Sequence, residues 1–84
     1  MNIRRQSSTM NSEYARKVEL ACKELFQEGN NPVRAGQIAD IAGIENSSKL
    51  GMQLTFGVIE FDDIEYDVIE HEDKSVSNEY RIRW

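Results

Sequence analysis

The amino-acid sequence predicts an α+β domain, with three helices followed by an antiparallel β-hairpin of two or three strands. In the first part of the chain apolar residues recur at three- and four-residue intervals, the spacing of one helical face. In the last third the period changes to strict alternation, the spacing of a half-buried strand. The single proline and three of the five glycines fall where one pattern gives way to the next. A chain of 84 residues can bury one modest core, so a single domain is expected over residues 12–84. Residues 1–11 are polar, carry Arg4 and Arg5 without an acid, and have no period. They are expected to form a flexible basic arm.

The first helix is the clearest element. Ser12 is a candidate N-cap, and Glu13 lies where the helix dipole favours an acid. Tyr14, Val18, Ala21, Cys22, Leu25 and Phe26 then form one apolar stripe, while Arg16, Lys17, Lys23, Glu24 and Gln27 take the other face. Gly29 ends the helix, and Asn30-Asn31-Pro32 reinforces the stop. After a short extended piece at Pro32-Val33-Arg34, a second helix is expected over residues 36–42, with Ile38, Ala39, Ile41 and Ala42 as its apolar positions. Gly43 suits the left-handed residue that closes it, and Ile44 folds back onto the core. Asn46-Ser47-Ser48 offers caps for a third helix over residues 48–56. Gly51 inside that helix costs on the order of 1 kcal/mol relative to Ala.

Two strands follow. Ile64, Tyr66 and Val68 alternate with Glu65 and Asp67, and Tyr80, Ile82 and Trp84 alternate with Arg81 and Arg83. A hairpin turning through residues 71–75 brings Glu65 beside Arg83 and Asp67 beside Arg81, which places opposite charges across the ladder.

Charge distribution bears on partners more than on fold. The net charge is −5, yet residues 60–73 hold eight acids and no Lys or Arg, so the remainder sums to +3. No apolar run approaches the roughly 18 residues of a membrane span, so no membrane association is expected. The N-terminus has no apolar segment after its arginines, which argues against a secretory signal. With that and one cysteine, Cys22, a reducing, cytoplasmic setting is expected. Cys22 falls on the apolar stripe and reads as a small core side chain.

Helix, short strand, helix, glycine turn, helix and hairpin is the element order of winged helix-turn-helix domains. Gln37-Ile38-Ala39-Asp40-Ile41-Ala42-Gly43-Ile44 resembles the second helix and turn of that superfamily. Leu50 and Leu54 resemble the buried side of its third helix, and Gly57-Val58-Ile59 its exit towards the wing. The resemblance covers residues 12–84. It implies a DNA-binding, transcription-regulating protein whose third helix enters the major groove while the hairpin contacts the backbone or minor groove.

With Leu50 and Leu54 inward, a rotation of roughly 100° per residue leaves Ser48, Lys49, Met52, Thr55 and Phe56 outward and Gln53 near the border. Ser47, Ser48, Lys49 and Gln53 are therefore the candidate base or phosphate contacts, with Arg4, Arg5, Arg16, Lys17 and Arg34 as further phosphate contacts. The expected partner is double-stranded DNA, bound as a homodimer or in a larger complex. A second reading makes the chain a protein-interaction module, including a DNA-mimic type of inhibitor. Met52 and Phe56, extended by Ile59, would then form an apolar patch, and Glu65, Asp67, Glu70, Glu72 and Asp73 would dock on a basic protein surface.

The residues do not suggest an enzyme. His71 is the single histidine and lies in a turn among Glu70, Glu72 and Asp73, which is weak as a cation site. Asp62 and Asp63 are adjacent, so on a strand they would face opposite sides. Gly51 and Gly57 are isolated and do not form a phosphate loop. No cofactor, catalytic residue or metal ligand is expected.

Overall fold

The computed structural model describes residues 12–84; the expected basic arm, with Arg4 and Arg5, lies outside the described residues. Helix α1 (Ser12–Gln27) leads into the two-residue strand β1 (Val33–Arg34), then α2 (Ala35–Ala42) and α3 (Ser47–Thr55). Strands β2 (Glu65–Ile69) and β3 (Glu79–Arg83) complete the chain. The sheet is antiparallel throughout, with β3 between β1 and β2. This is an α+β fold of three helices and a three-stranded antiparallel sheet, an element order compatible with a winged helix, with β1 as the third strand. Both α2 and α3 begin one residue before their predicted starts, within the ordinary uncertainty of helix ends.

The helix ends explain the chain's direction. Gly43 adopts φ 74°, a left-handed conformation that costs a residue with a Cβ, and the Ile44 amide donates to the Ala39 carbonyl at 2.9 Å. Asn46 caps α3 by accepting from the Lys49 amide at 2.9 Å. Side chains also complete the sheet. Asn31 stands where β1 would continue along β3, and its side-chain amide both donates to the Ile82 carbonyl and accepts from the Ile82 amide, each at 2.9 Å. Those are the two bonds a neighbouring strand would make.

The expected stripe of α1 supplies the core: Val18, Ala21, Cys22 and Leu25 are buried, with Tyr14 and Phe26 packed at its edge. Ile38, Ala39, Leu50, Leu54, Ile64, Tyr80 and Ile82 meet them from the other elements. Ile59 is also in the core, only 3% exposed, so it does not extend the Met52/Phe56 patch as expected. The chain turns at Gly57, leaves Val58 in solvent and directs Ile59 into the core. Ile41, expected among the apolar positions of α2, is instead 38% exposed.

The acidic spacer before the hairpin is not a strand but a pinned bend. Glu19, 6% exposed on α1, accepts from the Asp62 amide at 3.2 Å and the Asp63 amide at 2.6 Å. Adjacent amides thus converge on one carboxylate, which the opposite-facing geometry expected for Asp62 and Asp63 would not allow. Lys23 then neutralises the site, with Nζ 2.6 Å from Asp63 and 5.1 Å from the Trp84 ring centroid. Trp84 packs edge-on against Phe26 at 5.8 Å between centroids.

Removing the Glu19 carboxylate leaves two amide donors unsatisfied in a half-buried bend. Glu19→Ala is expected to lower stability by about 1–3 kcal/mol, read as a lower urea midpoint, with Glu19→Gln costing less. Burial, and secondarily the nearby Glu19, pushes the Cys22 thiol from 9.0 up to about 12. The native thiol should therefore resist alkylation at pH 8 and react at an ordinary rate in urea. Because its folded pKa is raised, the unfolded chain loses the thiol proton first, so stability should fall as pH rises from 9 towards 12. Cys22→Ser should lack that component of the alkaline decline.

Candidate nucleic-acid interface

An open groove of about 760 Å3 runs between the start of α2, the outer face of α3 and the hairpin turn. Arg34, Gln37 and Asp40 line its α2 side. Ser47, Ser48, Met52 and Phe56 contribute from α3, and Lys74, Val76, Ser77 and Asn78 from the turn. Arg34 is held at the rim, its backbone amide donating to Gln37 Oε1 at 2.8 Å and its Nε 4.0 Å from Glu79. Met52 and Phe56 are 59% and 74% exposed. Their outward placement follows from Leu50 and Leu54 being buried two residues before each of them.

Two expectations for α3 change, the outward placement of Thr55 and the contact role of Gln53. Thr55 is half-buried, and its hydroxyl lies 2.9 Å from the Tyr80 hydroxyl. Gln53 is half-buried and accepts from the Tyr14 hydroxyl at 2.8 Å, so its side-chain oxygen faces α1 rather than the groove. Lys49 is exposed on α3. Arg16 and Lys17 are exposed on α1, and Lys17 lines a different depression, between α1 and the end of α2. The expected basic residues therefore separate into two places: Arg34 lies with Ser47 and Ser48, while Lys17 does not join them.

The acids of the hairpin also separate. In the β2–β3 register Glu65 opposes Arg83 and Asp67 opposes Arg81, as expected. Arg83 pairs with both acids, with Nη1 3.0 Å from Glu65 and Nε 3.0 Å from Asp67. Arg34, Glu79, Arg81 and Arg83 share this outer face, where charges alternate across the strands. Such exposed pairs contribute about 0–1 kcal/mol each. Glu70, Glu72 and Asp73 are exposed on the connecting loop. Asp73 accepts from the Ser75 amide at 2.9 Å and its hydroxyl at 2.7 Å, and these bonds hold its carboxyl below the usual range. His71 Nε2 lies 3.0 Å from Glu79, a partner outside its own turn.

Within the groove, then, Arg34 and Lys74 face one acid, Asp40. Lys74 is not among the contacts expected from the sequence; its place directly after Glu72 and Asp73 conceals that the turn folds over α3. Tyr80 holds that fold-over together. It is 2% exposed on β3, and its hydroxyl donates to the Gly51 carbonyl at 3.0 Å. An added Cβ at Gly51 would stand 3.4 Å from Ala35 Cβ and 3.6 Å from that hydroxyl, ordinary contact distances, so α3 approaches α2 and β3 closely at this residue. Asn78 donates to Thr55 at 3.3 Å and adds a second tie from the loop to α3.

Among the described residues no three His, Cys, Asp or Glu side chains are grouped to hold a metal ion, and no helix is long and apolar enough to cross a membrane. The chain matches no protein-family model, no curated protein and no solved structure.

Tyr80→Phe keeps the ring in the core but removes the bond to Gly51 and the contact with Thr55. It is expected to cost about 1 kcal/mol in denaturant unfolding and to speed amide exchange at the end of α3.

Proposed function

We propose that this chain is a winged-helix DNA-binding protein, a small transcriptional regulator, that seats duplex DNA in the groove between α3 and the hairpin. The observation that carries this reading is the sorting of charge. Two cations, Arg34 (Nε 4.0 Å from Glu79) and Lys74, line the groove with one acid, Asp40, and several hydroxyl and amide groups, while Glu65 and Asp67 lie on the outer sheet face against Arg83. A phosphate backbone approaching α3 thus meets Arg34 and Lys74 on the groove, with Lys49 exposed on the same helix outside the groove lining. Ser47 and Ser48 at the start of α3 supply hydroxyls to phosphate or base edges. Met52 and Phe56 supply apolar contact of the kind that recognises thymine methyl groups.

The exposure of Phe56 favours a second reading, a protein segment docked on the same groove through Met52 and Phe56, with the loop acids Glu70 and Glu72 meeting a basic partner. The two readings part in one titration.

Labelled mixed-sequence duplex titrated with the protein at low and moderate salt should show micromolar or tighter binding that weakens with salt. Three phosphate contacts, from Arg34, Lys49 and Lys74, give an expected log–log salt slope of about −3. Arg34→Gln, Lys49→Gln and Lys74→Gln should each weaken binding and reduce that slope by about 1. Absence of binding even at low salt overturns the DNA reading and favours the protein one. Under that second reading Met52→Ala and Phe56→Ala abolish partner binding and the lysine changes do not.

A further inference from the structure

A second surface lies apart from the groove. Between α1 and the end of α2 is a depression of about 240 Å3 lined by Lys17, Leu20, Ala21, Glu24, Ile41 and Ala42. Leu20 is 57% exposed and Ile41 38%, so two branched aliphatic side chains stand in solvent beside each other. None of these residues lines the α3 groove.

We propose that this face is the contact between two copies of the chain, with the two α1 helices packed antiparallel across a twofold axis at Leu20. The charges flanking Leu20 identify the occupant. Lys17 precedes Leu20 by one helical turn, with Arg16 next to it, and Glu24 follows by one turn on the same side. Lys17 and Glu24 are separated by about 10 Å of helix axis, too far to pair within one copy. Neither forms an ion pair among the described residues. An antiparallel second copy reverses the order, so its Glu24 meets Arg16 and Lys17, and its own basic turn meets Glu24. The surface is therefore self-complementary, as a twofold interface requires. Leu20 and Ile41 from each copy fill the centre, and charges form the rim, the usual distribution in such contacts. A parallel arrangement sets like charges against each other, and a uniformly basic or acidic partner satisfies only one end.

The test is the mass of the full chain by sedimentation equilibrium from low to high micromolar concentration. A concentration-dependent dimer is expected, and Leu20→Asp should raise its dissociation constant by roughly tenfold or more. Because Leu20 is exposed, that variant should keep the wild-type circular dichroism, and the wild-type melting temperature at concentrations below those that form the dimer. Lys17→Glu and Glu24→Lys should each weaken the dimer, and the double exchange should recover part of the loss. A chain that stays monomeric throughout, or a dimer indifferent to Leu20→Asp, overturns the proposal. Single exchanges that weaken the dimer without recovery in the double variant overturn the antiparallel pairing. Neither result bears on DNA titration, since the α3 groove is untouched by these changes.

Discussion

Tyr80 is the residue on which the arrangement of sheet and helices depends. It lies on the central strand, opposite Val33 on one side and Val68 on the other, so both neighbouring strands are registered against it. Its ring is buried, and packs edge-on to Tyr66 at 6.1 Å between centroids. Its hydroxyl ends under α3, bonded to Gly51 and Thr55. A buried phenol must find a partner for its hydroxyl, and here the requirement is met by the helix backbone. The hairpin therefore cannot swing away from α3 without exposing an aromatic ring and stranding a carbonyl. Tyr66 makes a parallel tie from β2, donating to the Leu54 carbonyl at 2.6 Å. Two tyrosines thus set the width of the groove that the outer face of α3 lines.

A second constraint controls the acidic stretch between α3 and the hairpin. Eight carboxylates over residues 60–73 would repel one another in an extended chain. Glu19 adds a further acid to that neighbourhood but offers it to backbone amides rather than to side chains, and Lys23 meets Asp63. Hydrogen bonds to a charged acceptor are among the stronger ones a protein makes, contributing about 1.5–3 kcal/mol. The spacer is thereby held against α1, and β2 begins in the register that pairs Glu65 with Arg83.

The consequence is a domain with three distinct surfaces. The outer sheet face alternates acid and base and has little field of its own. The α3 groove is lined by polar groups, by the exposed side chains of Met52 and Phe56, and by Arg34 and Lys74 with the one acid Asp40. The α1–α2 face carries separated opposite charges around Leu20. A net charge of −5 describes none of these surfaces, because carboxylates and guanidinium groups are partitioned by strand alternation and helix rotation.

The sequence by itself determined the elements, their order and the hairpin register. Helical spacing on α1, glycine at the ends of helices and strict alternation in the last third are local signals, and each reports one chain segment's own geometry. The pairing of Glu65 with Arg83 was legible because strand alternation and turn position together leave one register. The Gly43 turn was legible from glycine's left-handed preference, whereas Asn46 stood among three candidate caps and the structure selected it. What only the tertiary structure decided is which side chains share a surface. Buried Glu19 is a charged residue outside the apolar stripe of α1, and its partners are amides more than forty residues away in sequence. Gln53 and Thr55 turned to Tyr14 and Tyr80 because hydroxyls across the core were within reach, not because of their own helix position. Lys74 reached the groove, while Lys17 went to another face, through the packing of α2 against α1 and of the turn over α3. Such choices depend on long-range packing, in which a side chain's partners come from elements that local periodicity does not see.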